Sequence, residues 1–217
     1  MWNDIWASKM QSVVIAEKRK GKSVREREEM MQGSDPEMHP GIEIDNNHIF
    51  FYTDVTDEKM LLLRKALSSS QKVSKHTKEE YEMDEFIPIH LHICSYGGSL
   101  LPALGMYDLL VKSPVPIVTH IEGAAMSAGT ILAIAGKKRL MTANSTVLIH
   151  ELSSGFWGKF SDFQDHQKNM ETLMEKVKAI YLRHAKIPEK VLEDLLKKDL
   201  YLTAEQCLEY GLIDGIE

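Results

Sequence analysis

Several things are scarce in this 217-residue chain, and each scarcity closes a class of function. Cysteine occurs twice, as Cys94 and Cys207, far apart and in no zinc-type spacing. Both read as small buried apolar residues in a reducing compartment, although one pairing between them stays open. There is no excess of positive charge: the formal net charge is −6, which leaves no general basic footprint and argues against nucleic acid as the principal partner. No apolar run is long enough to cross a bilayer, because the most apolar window, Val115 to Ala135, is interrupted by His120 and Glu122. The start of the chain, with Asp4 and no apolar core, does not read as a secretory signal. These shortages point to a cytoplasmic protein, or one of an equivalent compartment, with no membrane partner. The length suits one domain with an appendage and allows a real core.

What is present divides at about residue 40. Residues 1–40 are rich in Lys, Arg, Glu, Gln and Ser, with charge runs at Lys18-Arg19-Lys20-Gly21-Lys22 and Arg25-Glu26-Arg27-Glu28-Glu29 that leave little to bury. Trp2, Ile5, Trp6, Met10, Val13 and Val14 recur at helical spacing, so a short docking helix competes with a frayed tail or removable leader, the reading composition favours. The breakers Ser34-Asp35-Pro36 and His39-Pro40-Gly41 mark the edge of the folded part, residues 41–217.

From His48 strands and helices alternate. His48 to Tyr52, Ile87 to Cys94, Pro114 to Ile121 and Asn144 to His150 read as strands; Thr56-Asp57-Glu58 opens a helix through Leu67, and Leu100 to Val111 is another. The alternation implies crossover connections and a mainly parallel α/β sheet, in which reactive groups gather at the carboxyl ends of the strands. Ser68 to Phe86 is polar and long for a connection, and reads as an insertion over the surface. His90 and His92 share a strand face, but no nearby carboxylate or cysteine completes a metal-ligand set, so hydrogen-bonded strand histidines are the expectation and no metal is assigned. Ser161-Asp162-Phe163-Gln164 is a capping-box pattern. The helix after it, through Ala185, carries an apolar stripe of Phe163, Met170, Leu173, Met174, Val177, Ile180 and Tyr181. It would extend about 37 Å, longer than a small domain needs, which suggests packing on another chain.

One stretch carries chemistry. In Gly123-Ala124-Ala125-Met126-Ser127-Ala128-Gly129-Thr130 a single serine sits among small residues directly before the apolar run Ile131 to Ala135. A hydroxyl at such a strand-to-helix turn lies beside unpaired N–H groups that favour developing negative charge. The strand run that follows ends on His150, a base well placed to reach a neighbouring helix start. Either piece alone is more often structural: a serine in tight helix packing, a histidine hydrogen-bonded at a surface.

In this order, Ser95-Tyr96-Gly97-Gly98-Ser99, the Ser127 segment, Asn144 to His150, Asp199 to Ala204 and Glu209-Tyr210-Gly211-Leu212-Ile213-Asp214 resemble the proteolytic subunit of the Clp protease, from about Ile42 to the end of the chain. The resemblance implies a fold of repeated β-β-α units, related to the crotonases, with a protruding handle helix over residues 161–185. It implies Ser127 as nucleophile, His150 as general base, Asp199 as the carboxylate that orients the base, and the backbone N–H groups of Gly98 and Ala128 as oxyanion donors. Because the donor is main-chain, Ala128 can stand where the family usually has methionine. Gly97, Ser99 and Leu100, with Ser153, Ser154, Gly155 and Phe156, match the two segments that pair a substrate backbone as an added strand, a mode tolerant of sequence. Further implications are heptameric rings that can stack into a tetradecamer, a polypeptide substrate, and a partner AAA+ unfoldase that alone uses ATP, with no cofactor in this chain.

The chain departs from the family at Tyr96, where proline is usual, at Leu152, where proline is common, and at Lys197-Lys198, where many members carry an acid and an arginine that pair between rings. The opposite charge of that last partnership is absent here. Three other readings share parts of the pattern: a viral head-maturation protease, a crotonase-type acyl-CoA enzyme, and a non-catalytic ring subunit. An acyl-CoA enzyme has no need of the three residues Ser127, His150 and Asp199 together, and a chamber-only subunit would usually have lost one of them.

Overall fold

Alternation of buried apolar and less buried residues along short β-rich runs builds a sheet that describes most of the core. In the computed structural model, residues 41–217 are described, and the expectations for the N-terminal tail fall outside them. The strands are β1 (Ile42–Asp45), β2 (His48–Phe51), β3 (Ile89–Ser95), β4 (Ile117–Met126), β5 (Lys138–Met141), β6 (Thr146–Leu148), β7 (Tyr201–Leu202) and β8 (Gly215–Ile216). Between them run α1 (Asp57–Glu80), α2 (Leu100–Val111), α3 (Ala128–Ala133), α4 (Phe160–His184), α5 (Glu189–Leu196) and α6 (Ala204–Glu209). The sheet order is β1-β2-β3-β4-β5-β8, with β6 also on β4 and β7 on β6. The β1–β2 hairpin and the β6–β7 pair are antiparallel and the remaining pairs are parallel, as crossover helices require.

On one face of the sheet, Ile49, Phe51, Ile89, Leu91, Ile93, Ile117 and Ile121 join Leu63, Met106, Leu110, Ile131 and Leu132 of the helices in one apolar cluster. The opposite face of β2, β3 and β4 carries His48, Phe50, His90, His92, His120 and Glu122.

Two helices differ from expectation. α1 does not end near Leu67 but continues to Glu80, so residues 68–80 are helix and not a surface insertion. The stripe of Met60, Leu63 and Leu67 is continued by Ser70 and Ser74, both buried. Their small side chains let the helix lie close, and Ser74 Oγ donates to the Ile87 carbonyl at 2.7 Å. Apolar periodicity could not register two serines. α4 runs for 25 residues, about 37 Å. It begins just before the expected box, with the Lys159 N–H donating to Asp162 Oδ2 at 3.0 Å. The acidic first turn also complements the helix dipole. The Thr203–Gln206 pair forms a reciprocal cap on α6, Thr203 N to Gln206 Oε1 at 2.9 Å and Gln206 N to Thr203 Oγ1 at 3.4 Å.

β4 does the most to place the site. Its first half pairs with β5 and its second half with β6, the change falling at Gly123, whose N–H donates to Ser145 Oγ at 2.6 Å. The chain that leaves β4 at Met126 therefore emerges beside the end of β6.

Candidate active site

Strand register brings three distant residues to one end of the sheet. Met126 pairs with Leu148 in parallel, so Ser127 follows the end of β4 while His150 lies just past the end of β6. Leu148 pairs with Tyr201 in the antiparallel sense, so two residues forward along one strand and two back along the other set His150 opposite Asp199. The contact is made: His150 Nδ1 and Asp199 Oδ1 are 3.0 Å apart. The Asp199 side chain is 79% exposed and that of His150 29%. Ser127 and His150 line the same cavity, of about 690 Å³. Among the described residues no hydrogen bond joins the serine hydroxyl to the imidazole. Such bonds are often long in an empty site and tighten around substrate.

Ser127 has φ 50° and ψ −124°, a region that side-chain-bearing residues rarely occupy. The turn is held from both sides, the Ser127 N–H donating to the Leu148 carbonyl at 2.9 Å and its carbonyl accepting from Thr130 N at 3.0 Å. Ala128 opens α3, where first-turn N–H groups have no partner within the helix.

The facing wall is Gly97-Gly98. Val55 N donates to the Gly97 carbonyl at 2.7 Å and Ser99 N to the Val55 carbonyl at 2.8 Å, an isolated parallel bridge that leaves the Gly98 N–H out of the ladder. Glycine is required at both positions. Their φ values are +101° and +137°, and a Cβ on Gly97 would stand 2.7 Å from Ser127 Cβ, on Gly98 2.3 Å from the Val55 oxygen.

Of the expected substrate-contacting residues, Gly97, Ser99, Leu100 and Ser153 line the cavity together with Gly98 and Ala128, while Ser154, Gly155 and Phe156 are not among its lining residues. Among the described residues, the segment after Glu151 pairs with no strand. Phe156 stacks on His166 and meets Phe163 edge-on, and Ser154 Oγ lies 3.2 Å from His166 Nε2. Val55, Ile131, Val177 and Tyr181 also line the cavity and were not anticipated. Val55 sits in a polar stretch with no motif, and in the sequence Val177 and Tyr181 read only as part of a helix stripe. Tyr96 at the rim is 70% exposed, and Lys197 and Lys198 are exposed at the end of α5.

The strand histidines form two hydrogen-bonded rows. His48 Nδ1 lies 2.8 Å from His92 Nε2, and His92 Nδ1 2.7 Å from Glu122 Oε1, with Tyr52 donating to the other Glu122 oxygen. His90 Nδ1 lies 2.8 Å from His120 Nε2, and His120 Nδ1 2.8 Å from Glu217 Oε1. The fold thus brings His92 a carboxylate 30 residues away in sequence, and gives His120 one from the end of the chain. Burial and the neighbouring imidazoles hold His90 down to about 4 and His48 below its ordinary value. Burial would raise the Glu122 carboxyl, but hydrogen bonds from Tyr52 and His92 hold it below the usual range. Among the described residues no group of three His, Cys, Asp or Glu has an arrangement that could hold a metal ion, and no helix is long and apolar enough to cross a membrane. Cys94 and Cys207 are free thiols, and burial pushes that of Cys207 up to about 12.

A family model described as Clp protease matches residues 44–217.

Proposed function

Since the chain belongs to the Clp protease family, and is in that general sense a peptidase, we propose that it is a serine endopeptidase acting through Ser127, His150 and Asp199. The observation that carries this reading is that Ser127, His150, Gly98 and Ala128 line one cavity, with Asp199 Oδ1 3.0 Å from His150 Nδ1. Substrate filling the cavity draws the hydroxyl and imidazole together. His150 Nε2 takes the Ser127 proton as Oγ bonds to the scissile carbonyl carbon, and the carbonyl electrons move onto oxygen. The N–H groups of Gly98 and Ala128 receive that oxyanion. Asp199 holds the Nδ1–H tautomer and stabilises the imidazolium. The C–N bond then breaks, the amine leaves with the proton from His150, and water repeats the sequence to free the acid. No cofactor enters.

The substrate is an unfolded polypeptide, paired through its backbone with the Gly97–Leu100 segment and with the Ser153–Phe156 segment, which has no strand partner among the described residues. The enzyme works in the cytoplasm as a ring of subunits, heptameric and able to stack, enclosing the sites, and an AAA+ unfoldase supplies substrate. A fluorophosphonate should label Ser127, and short fluorogenic peptides should be cleaved without ATP. Ser127→Ala should abolish labelling and lower turnover by about 10⁴- to 10⁶-fold with assembly intact. A wild-type oligomer that takes no label would leave only the chamber-building role.

A further inference from the structure

Beside the nucleophile, two buried hydroxyls from distant parts of the chain meet. Thr130, in α3, and Tyr181, near the end of α4, are 4% and 2% exposed and in hydrogen-bond contact through Oγ1 and the phenol oxygen. Thr130 Oγ1 also donates to the Ser127 carbonyl at 2.5 Å. A threonine hydroxyl has one proton, so if it is given to the Ser127 carbonyl it cannot also be given to Tyr181. The proton order is therefore determined: Tyr181 O–H donates to Thr130 Oγ1, and Thr130 O–H to the Ser127 carbonyl. Burial raises the Tyr181 phenol to about 12, which keeps it a donor at neutral pH.

The carbonyl of Ser127 and the N–H of Ala128 are the two ends of one planar peptide unit. Whatever fixes the direction of that carbonyl fixes the direction of the Ala128 N–H, and it does so where the backbone is already in a sparsely populated conformation. A threonine bonding back to the preceding turn is common in helices. Here its oxygen is in turn held by a phenol from another helix, which removes the hydroxyl's freedom to rotate away.

We propose that Thr130 and Tyr181 are positioning residues that aim the Ala128 N–H at the oxyanion, so that α4 is tied to the catalytic turn through one chain of two hydrogen bonds. The inference rests on the peptidase reading above. It makes the pair matter to the transition state and not to the bound substrate, because the oxyanion exists only in the former.

Thr130→Val keeps the shape and removes the hydroxyl. It should lower kcat about ten- to a hundredfold, part of what losing a whole oxyanion donor costs, with KM little changed. Affinity for a peptide boronate, which forms a tetrahedral adduct on the serine, should fall in parallel with kcat. Thr130→Ser should restore both, and Tyr181→Phe should lower them less. The double variant Thr130→Val with Tyr181→Phe should be no worse than Thr130→Val alone, since both act through one chain. Should Thr130→Val fail to fold, Tyr181→Phe carries the same comparison of kcat, KM and boronate affinity. Wild-type kcat and boronate affinity in the folded variants, or a loss that follows melting temperature and is not restored by serine, would overturn the proposal. Absence of fluorophosphonate labelling in the wild type would instead overturn the peptidase reading beneath it.

Discussion

At His150 one side chain depends on two separated supports. Its Nδ1 faces Asp199 at 3.0 Å, and its ring lines the cavity that holds Ser127. Replacing the carboxylate by an amide of the same shape removes its charge and offers an NH2 donor that can bond the bare Nδ1, which lets the ring hold its proton on the wrong nitrogen. Asp199→Asn should therefore lower kcat by about 10⁴ while the melting temperature barely moves, measurable by peptide hydrolysis beside thermal denaturation. The exposure of Asp199 is consistent with a small stability effect, since exposed ion pairs contribute about 0–1 kcal/mol. Ser127 and His150 were legible because small residues before a helix, and a histidine closing a strand, are features of residue type and order. Thr130 and Tyr181 were not: a threonine between a glycine and an isoleucine and a tyrosine in an apolar stripe signal only packing until the helix axes are fixed.

Among the elements, β2, β3 and β4 carry a layer whose behaviour follows from burial. His90 is held at about 4 and His48 below its ordinary 6.5, so across this range the folded state binds fewer protons than the unfolded chain. Stability is then full above about pH 6.5 and is lost as pH falls towards about 4, and the lowered Glu122 adds loss in the same direction at more acid pH. The melting temperature should fall progressively over that window, and in His90→Gln the fall should flatten. An equal slope in the two proteins would mean that His90 titrates as it does in the unfolded chain. The rows also show why a strand read alone is incomplete. His92 reads as having no carboxylate because Glu122, which it meets, lies 30 residues along the chain, and His90 meets none but bonds His120, whose partner Glu217 lies 97 residues further on. The extension of α1 has a similar cause, since Ser70 and Ser74 are buried although neither is apolar, and Ser74 bonds the Ile87 carbonyl 13 residues on.

For the molecule as a whole, α4 is the element least explained by one chain. Only Val177, Ile180 and Tyr181 of its 25 residues are buried, all towards its C-terminal end, while Phe160 and Phe163 at its start and Trp157 just before it are exposed, Trp157 by 98%. Exposed apolar groups on a helix with so few buried residues favour a protein neighbour. If that neighbour is the same chain in the proposed ring assembly, Phe160→Asp should reduce the particle mass seen by light scattering while fluorophosphonate still labels Ser127 in the smaller species. A wild-type particle of one chain would remove the ring model. Two lysines at the end of α5, in place of an acid and an arginine, bear on the same measurement, because ring-to-ring pairing through them would need a partner of opposite charge.

Sequence by itself determined the alternation of elements, the peptidase family, and which serine, histidine and aspartate to compare, because these depend on residue type and on order along the chain. Tertiary structure decided that Asp199 meets His150, that two serines extend a helix, that carboxylates reach His92 and His120, and that the Tyr181 phenol of α4 meets the Thr130 hydroxyl beside Ser127. These are distances between groups remote in sequence, and only strand register and helix packing bring such groups within reach of a hydrogen bond.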